Sequence, residues 1–265
     1  MSATAGSGLS ALGLRKRFGG VEAVREVSLQ VAPGEAVALI GANGAGKTTT
    51  FNLINGQLAP DGGRVHLDGR DLTRLGPAER FHAGVARTFQ ITANFLSMRV
   101  ADNVALALLS RSRRATGVLH ALARDGAPAD EAMRLLAAVG LAGQAEAPCA
   151  QLAYGDLKRL ELAVALAGRP RLLLMDEPTA GMSAAERTAL MTLARETCRR
   201  ERLALLFTEH DMDVVFGFAD RICVMHRGRL IADAAPEAVA ADPVVREVYL
   251  GAGAKPALQA AETSG

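Results

Sequence analysis

Eight consecutive residues, Gly41-Ala42-Asn43-Gly44-Ala45-Gly46-Lys47-Thr48, match the pattern G-x-x-x-x-G-K-[ST] without a gap. Glycines in this pattern let backbone N–H groups turn inward and approach an anion closely. A helix that opens at the end of the loop adds a favourable potential for phosphate oxygens. Lys47 is then placed to reach the β- and γ-phosphates of a nucleotide, and the Thr48 hydroxyl to bind Mg²⁺. Gly41, Asn43, Gly44, Ala45, Gly46, Lys47, Thr48 and Thr49 are the candidate nucleotide contacts.

Such a loop needs an acid for the metal. Leu172-Leu173-Leu174-Met175-Asp176 puts a carboxylate at the C-terminal end of an apolar run, where parallel sheets bind ligands. Glu177 comes next, and neighbours at a strand end can point differently. Asp176 is therefore the metal candidate, and Glu177 the group that orients or deprotonates an attacking water. Taken alone, Asp-Glu after an apolar run suits a surface turn equally well; the phosphate loop tips the balance.

These residues have to be held by strands and helices. Ala36 to Ile40 is wholly apolar and suits a buried strand directly ahead of the loop, with further strands at Leu172–Met175 and Leu203–Phe207. Ser183 and Glu186 form a capping box that opens a helix running to about Arg200. Strand, helix, strand in that order predicts an α/β fold with a parallel sheet and right-handed crossovers. Leu9 to Gln30 alternates in places and predicts antiparallel strands. From about Leu96 to Ala167 the chain is rich in Ala, Leu and Arg at helical spacing and predicts an inserted helical subdomain. Two short strands near Ile222–Met225 and Leu230–Ala232 flank Arg227-Gly228 as a hairpin, and a last helix is expected from Asp242-Pro243 to Gly251.

The 265 residues are 49% hydrophobic, ample for a packed core. A formal net charge of +2 argues against a general nucleic-acid binder. Cys149, Cys198 and Cys223 lack metal-ligand spacing and read as reduced, cytosolic and structural. Residues 1–8 have no secretory pattern, and no stretch reaches the ~20 apolar residues of a membrane span, so membrane work would fall to a partner. The tail 251–265 is expected to be loose.

With these motifs in hand, the chain resembles the ATP-binding-cassette (ABC) family from about Leu9 to Leu250. Gln90 in Arg87-Thr88-Phe89-Gln90 matches that family's Q-loop, and His210 in Thr208-Glu209-His210-Asp211 its switch histidine. Phe18 in Arg17-Phe18-Gly19-Gly20 sits where the family places an aromatic that stacks on adenine. Taken singly, each of these three also suits an ordinary surface or core residue; their order and placement carry the resemblance. It implies a RecA-like P-loop NTPase core with an antiparallel β subdomain and an inserted α-helical subdomain. The implied divisions are 9–95 and 168–250 for the core, 96–167 for the insertion and 251–265 for the tail. It also implies ATP and Mg²⁺ as ligands, with Gln90 sensing the metal and γ-phosphate and His210 holding the γ-phosphate and water. The implied activity is hydrolysis of ATP coupled to transport.

The family's signature position is occupied by Leu152-Ala153-Tyr154-Gly155-Asp156, against the usual Leu-Ser-Gly-Gly-Gln. Ala153 has no hydroxyl for the γ-phosphate, while Gly155 and a helix beginning near Leu157 keep the backbone and dipole. Ala153, Tyr154 and Gly155 are thus candidate contacts to ATP on a second subunit, in a dimer of like or unlike chains. Ser183 replaces the aspartate common after Ala180-Gly181-Met182. Arg17-Phe18-Gly19-Gly20, Gly84-Val85-Ala86-Arg87-Thr88-Phe89-Gln90, the Tyr-Gly signature, Glu209-His210-Asp211-Met212 and Val248-Tyr249-Leu250-Gly251 resemble the branched-chain amino-acid importer ATPases. That branch implies transmembrane permease subunits, an external substrate-binding protein reached indirectly, and a peripheral position on the cytoplasmic face of the cell membrane. Related importers for urea, short amides or aromatic acids share much of the pattern. A soluble ABC ATPase of the iron–sulfur assembly kind, or a low-turnover nucleotide clamp, are the other readings. Phe95, Leu96 and Met98 suit either a permease contact or core packing, and Arg111, Arg113 and Arg114 a solvated helix end more readily than lipid headgroups.

Overall fold

The computed structural model describes residues 8–88, 95–111 and 126–250. Gln90, Arg113, Arg114 and the tail from Gly251 lie outside them.

The chain opens with an antiparallel hairpin, β1 (Leu9–Phe18) and β2 (Val21–Val31), joined at Gly19-Gly20. β4 (Gly62–Leu67) pairs with the other edge of β1, and β5 (Arg70–Asp71) with β4, giving a four-stranded sheet. The second sheet has six strands in the order β10-β9-β3-β8-β7-β6. Five of these run parallel: β3 (Ala36–Gly41), β6 (Val85–Thr88), β7 (Leu172–Asp176), β8 (Ala204–Thr208) and β9 (Arg221–His226). β10 (Arg229–Ala234) closes one edge as the antiparallel arm of the expected hairpin.

The parallel sheet is buried on both faces, which is why its strands read as unbroken apolar runs rather than alternating ones. Period-two geometry still sorts them. Ala36, Ala38, Ile40, Leu173 and Met175 join one core, and Val37, Leu39, Leu172 and Leu174 the other. The second core lies between this sheet, α1 (Lys47–Asn55) and the antiparallel sheet. The first is shared with α3 (Val100–Arg111), α4 (Gly126–Ala138), α5 (Tyr154–Ala167), α6 (Ala184–Glu201) and α7 (Met212–Phe218). β6 and β7 are neighbours in the sheet, so α3 to α5 form a helical excursion between two paired strands. The fold is an α/β P-loop cassette with an antiparallel sheet and a helical region.

Local details depart from the sequence reading. β4, β5, β6 and α2 (Pro77–His82) had no clear periodic signal because each is six residues or shorter. The signature helix α5 starts at Tyr154, three residues ahead of Leu157, with Ala153 as its N-cap. The last helix, expected from Asp242-Pro243, is the single turn α9 (Pro243–Val245) followed by a π-helical turn, 246–250, and a separate helix α8 (Pro236–Ala241) precedes it. Asp242 caps α9 by accepting from the N–H groups of Val244 and Val245. The capping box is present on both sides: Ser183 accepts from the Glu186 N–H, and the Glu186 carboxylate accepts from Ser183. All three cysteines are free and buried, and burial pushes the Cys198 thiol up to about 12, in keeping with a structural role.

Arg80 is buried at 1% exposure and was invisible to pattern reading. Its guanidinium donates to the carbonyls of Leu53 and Ile54, both at 2.6 Å, and to those of Leu75 and Thr73. It therefore closes the C-terminus of α1, which has no basic residue in its own last turn and ends at left-handed Gly56. A side chain at Gly56 would meet the Arg80 Nε at 2.8 Å. Arg80→Met strands these carbonyls, at a cost of about 3 kcal/mol. The expected outcome is a Tm lower by roughly 6–12 °C in circular-dichroism melts. A shift below about 2 °C contradicts the capping role.

Candidate functional site

The phosphate loop leaves β3 through Gly41 at φ 153°, where a Cβ would collide with the Met225 carbonyl of β9. Gly44 (φ 77°) and Gly46 (φ 105°) take left-handed backbone, and Gly46 is the N-cap of α1. A Cβ there would lie 2.5 Å from the Ala23 carbonyl, so glycine is required for close approach as well as for its φ. The β9–β10 turn braces the loop from behind, with Gly228 N–H donating to Ala45 at 2.9 Å. Ala45 is buried, whereas Asn43, Gly44 and Thr48 are exposed on the open side. Thr49 is half-buried and Lys47 buried. The Lys47 ammonium donates to the carbonyls of Gly41 (2.6 Å) and Ala42 (3.2 Å). Burial pulls its pKa below the usual lysine value, opposed by the charges of Glu177 and Asp176.

Asp176 ends β7, paired in register with Thr208 at the end of β8. That register explains a contact the sequence did not reveal: the Thr208 hydroxyl donates to Asp176 Oδ1 at 2.7 Å. Arg87 at the end of β6 donates from Nη2 to Asp176 Oδ2, also at 2.7 Å. Glu177 sits in the left-handed region at φ 47°, uncommon for a residue with a side chain. Its N–H donates to both the Thr208 carbonyl (3.1 Å) and hydroxyl (3.0 Å), which fixes the strained turn. From this turn Glu177 Oε1 lies 2.7 Å from His210 Nε2. Glu209 is buried between them in sequence and accepts from the Thr179 N–H and hydroxyl. Thr208, Glu209 and Thr179 thus form a polar scaffold behind the reactive pair; the only trace of it in the sequence is three polar residues at the ends of apolar strands.

The signature residues sit at the start of α5. Ala153 has extended backbone and caps the helix without a side-chain hydrogen bond, and Gly155 is so close to Glu186 that a Cβ would meet its Oε1 at 2.8 Å. Tyr154 is 45% exposed. Its hydroxyl donates to the Ala180 carbonyl at 3.1 Å, and Lys158 lies over its ring at 5.6 Å. This tyrosine therefore ties the signature to the loop after Glu177. Ala153→Ser supplies the missing N-cap oxygen and should raise stability by about 1 kcal/mol, read as a higher urea midpoint with an unchanged slope. An unaltered midpoint contradicts the cap geometry.

Phe18, at the end of β1, is 48% exposed with Lys16 over its ring at 5.7 Å. Exposure removes the core-packing reading of this residue. The structure gathers Lys47, Asp176, Glu177 and His210 at the C-terminal ends of β3, β7 and β8. Among the described residues no cluster of three or more His, Cys, Asp or Glu could cage a metal. No helix of the described residues is long and apolar enough to cross a membrane.

A phosphate loop on a parallel sheet, an aspartate at a strand end followed by a glutamate in strained backbone, and a histidine in contact with that glutamate define a P-loop ATPase of the cassette type. The chain belongs to the ABC transporter family, whose model matches residues 24–180. Residues 229–255 match a second model, the branched-chain amino acid ATP-binding cassette transporter. Over 250 residues the chain is 38% identical to the high-affinity branched-chain amino acid transport ATP-binding protein LivG of Escherichia coli, covering 92% of this chain and 97% of that one. It is 36% identical over 251 residues to BraF of Pseudomonas aeruginosa, described in the same words, with 92% and 97% covered. The lipopolysaccharide export system ATP-binding protein LptB of Acidithiobacillus ferridurans is 36% identical over 243 residues, with 92% and 96% covered. Among solved structures, the ADP conformation of an ATP-binding cassette of an ABC transporter superimposes with a TM-score of 0.83 at 29% identity, covering 92% of this chain and 98% of that one. A nucleotide-free cassette gives 0.82 at 29% identity, with 92% and 99% covered. The protein is an ATP-binding, ATP-hydrolysing cassette.

Proposed function

We propose that this cassette powers import of branched-chain amino acids through separate transmembrane subunits, on the cytoplasmic face of the cell membrane. The match of residues 229–255 to the branched-chain amino acid cassette model carries this reading, supported by the LivG and BraF similarities.

In the proposed mechanism the phosphate loop receives the β- and γ-phosphates. Lys47 exchanges its two neutral loop carbonyls for anionic phosphate oxygens, so that both partners of the contact are charged. Phe18 offers its exposed ring to the adenine. Thr48 and Asp176 fit Mg²⁺: a hydroxyl and one carboxylate form the hard-oxygen, low-ligand-count set that this ion takes beside phosphates and water. Bound there, the ion would neutralise charge developing on the phosphates. Gln90 is assigned to the same ion and to the γ-phosphate by family resemblance. Glu177 orients and deprotonates the attacking water, and His210 holds that carboxylate and the γ-phosphate in line. Ala153, Tyr154 and Gly155 face the ATP of a second cassette subunit, alike or unlike. ATP then acts as interface glue, and hydrolysis releases it.

The proposed units are 9–95 and 168–250 for the core, 96–167 for the helical insertion and 251–265 for the tail. Between core and insertion lies a groove of about 280 Å³, walled by Phe81 and Arg87 on one side and Ala107, Val164 and Ala165 on the other. Its mainly apolar lining suits a helix of a permease subunit. Phe95 (56% exposed) and Leu96 (48% exposed) lie outside the core, and this exposure supports a permease contact for them. A periplasmic or extracellular substrate-binding protein would complete the importer without touching this chain.

The substrate is tested by uptake of radiolabelled leucine, isoleucine and valine in cells lacking the chain. Uptake should fall and return with the wild-type chain but not with Glu177→Gln. Unchanged uptake of all three overturns the branched-chain assignment.

A further inference from the structure

Arg87 contacts the proposed metal carboxylate directly. It is 10% exposed, and its Nη2 holds Asp176 Oδ2 at 2.7 Å, with Asp176 itself 8% exposed. The other terminal nitrogen, Nη1, donates to Asn52 Oδ1 at 2.7 Å and Gln57 Oε1 at 2.8 Å. Arg87 Nε is buried without a hydrogen-bond partner among the described residues. One guanidinium thus bridges α1, the segment after it and the end of β7.

We propose that Arg87, acting through Asp176, competes with Mg²⁺ for that carboxylate and so sets the metal concentration at which nucleotide is captured. The inference rests on the assignment of Asp176 to Mg²⁺ above. A fixed positive charge in hydrogen-bond contact with one carboxylate oxygen opposes the approach of a divalent cation to the same group, and low exposure weakens the screening. Asp176 does not depend on Arg87 for its orientation, because Thr208 holds Oδ1 independently. Arg87 also has somewhere to go. It borders the groove, and the Asn52 and Gln57 oxygens remain as acceptors when its bond to Asp176 breaks. The pair therefore works as an exchange: guanidinium on the carboxylate without metal, guanidinium withdrawn when the metal arrives.

The test is binding of a fluorescent ATP analogue as Mg²⁺ is titrated, with wild type, Arg87→Gln, Arg87→Lys and Asp176→Asn. Arg87→Gln should reach half-saturation at about five- to tenfold lower Mg²⁺ than wild type, with binding in EDTA unchanged. Arg87→Lys keeps the charge but not the two-nitrogen fork, and its midpoint should fall between those of wild type and Arg87→Gln. A brace with no electrostatic role would leave the Mg²⁺ midpoint alone in both variants, whatever it did to the melting temperature. An unchanged or higher midpoint for Arg87→Gln overturns the inference. If Asp176→Asn raises the midpoint in the same experiment, the Mg²⁺ assignment survives that failure. An unmoved midpoint for Asp176→Asn overturns both. Should Arg87→Gln fail to fold, Arg87→Met carries the same expectation.

Discussion

Glu177→Gln should lower steady-state phosphate release by at least about 100-fold while leaving the Kd for ATP within about threefold. The amide keeps the size of the side chain and can still meet His210 Nε2, so the turn at φ 47° and the two bonds its N–H donates to Thr208 are undisturbed. What is lost is the ability to take a proton from water. A general base contributes ~10²–10⁴ in rate, which sets the size of the effect. Because ATP still binds and is no longer split, the nucleotide-bound assembly should persist for far longer than in the wild type. Phosphate release read alongside equilibrium binding separates this outcome from simple misfolding. Retention of more than about a tenth of wild-type turnover would show that another group activates the water.

Lys47→Ala should have the opposite profile, with ATP binding weakened by at least about 100-fold and turnover lost with it. Two charge-assisted hydrogen bonds of ~1.5–3 kcal/mol each are removed, together with the positive charge nearest the phosphates. The cost to the fold should be small. Gly41, Gly44 and Gly46 keep the loop in shape through their backbone, and the loop remains braced by the Gly228–Ala45 bond. Isothermal titration with ATP checks the prediction. A Kd within about threefold of wild type would contradict the placement of Lys47 on the phosphates.

The contrast between these two variants follows the line between what could and could not be read from the chain. The phosphate loop was legible because its chemistry lies in eight contiguous residues whose glycines have no substitute at φ values of 77° to 153°. Asp176 and Glu177 were legible because an apolar strand must end somewhere, and a carboxylate pair at that end has few other uses. Thr208, Arg87 and Arg80 were not. Their roles depend on strand register and on helix ends brought together across 27 to 89 positions of sequence. The start of α5 was placed too late for a related reason: Ala153 lacks the side-chain oxygen that marks an N-cap, and only the backbone shows where the helix begins. Short strands such as β6, four residues long, carry too little periodicity to be seen alone.

The central claim is that this ATPase is the motor of a membrane importer, and one purification tests it most directly. The tagged Glu177→Gln chain would be isolated from detergent-solubilised membranes in the presence of ATP and Mg²⁺, and the co-purifying proteins identified by mass spectrometry. Two multi-span permease subunits in stoichiometric amount are the predicted result, with a second cassette protein beside them if the dimer is of unlike chains. Recovery of soluble proteins alone would contradict the importer and move this ATPase to a cytosolic task.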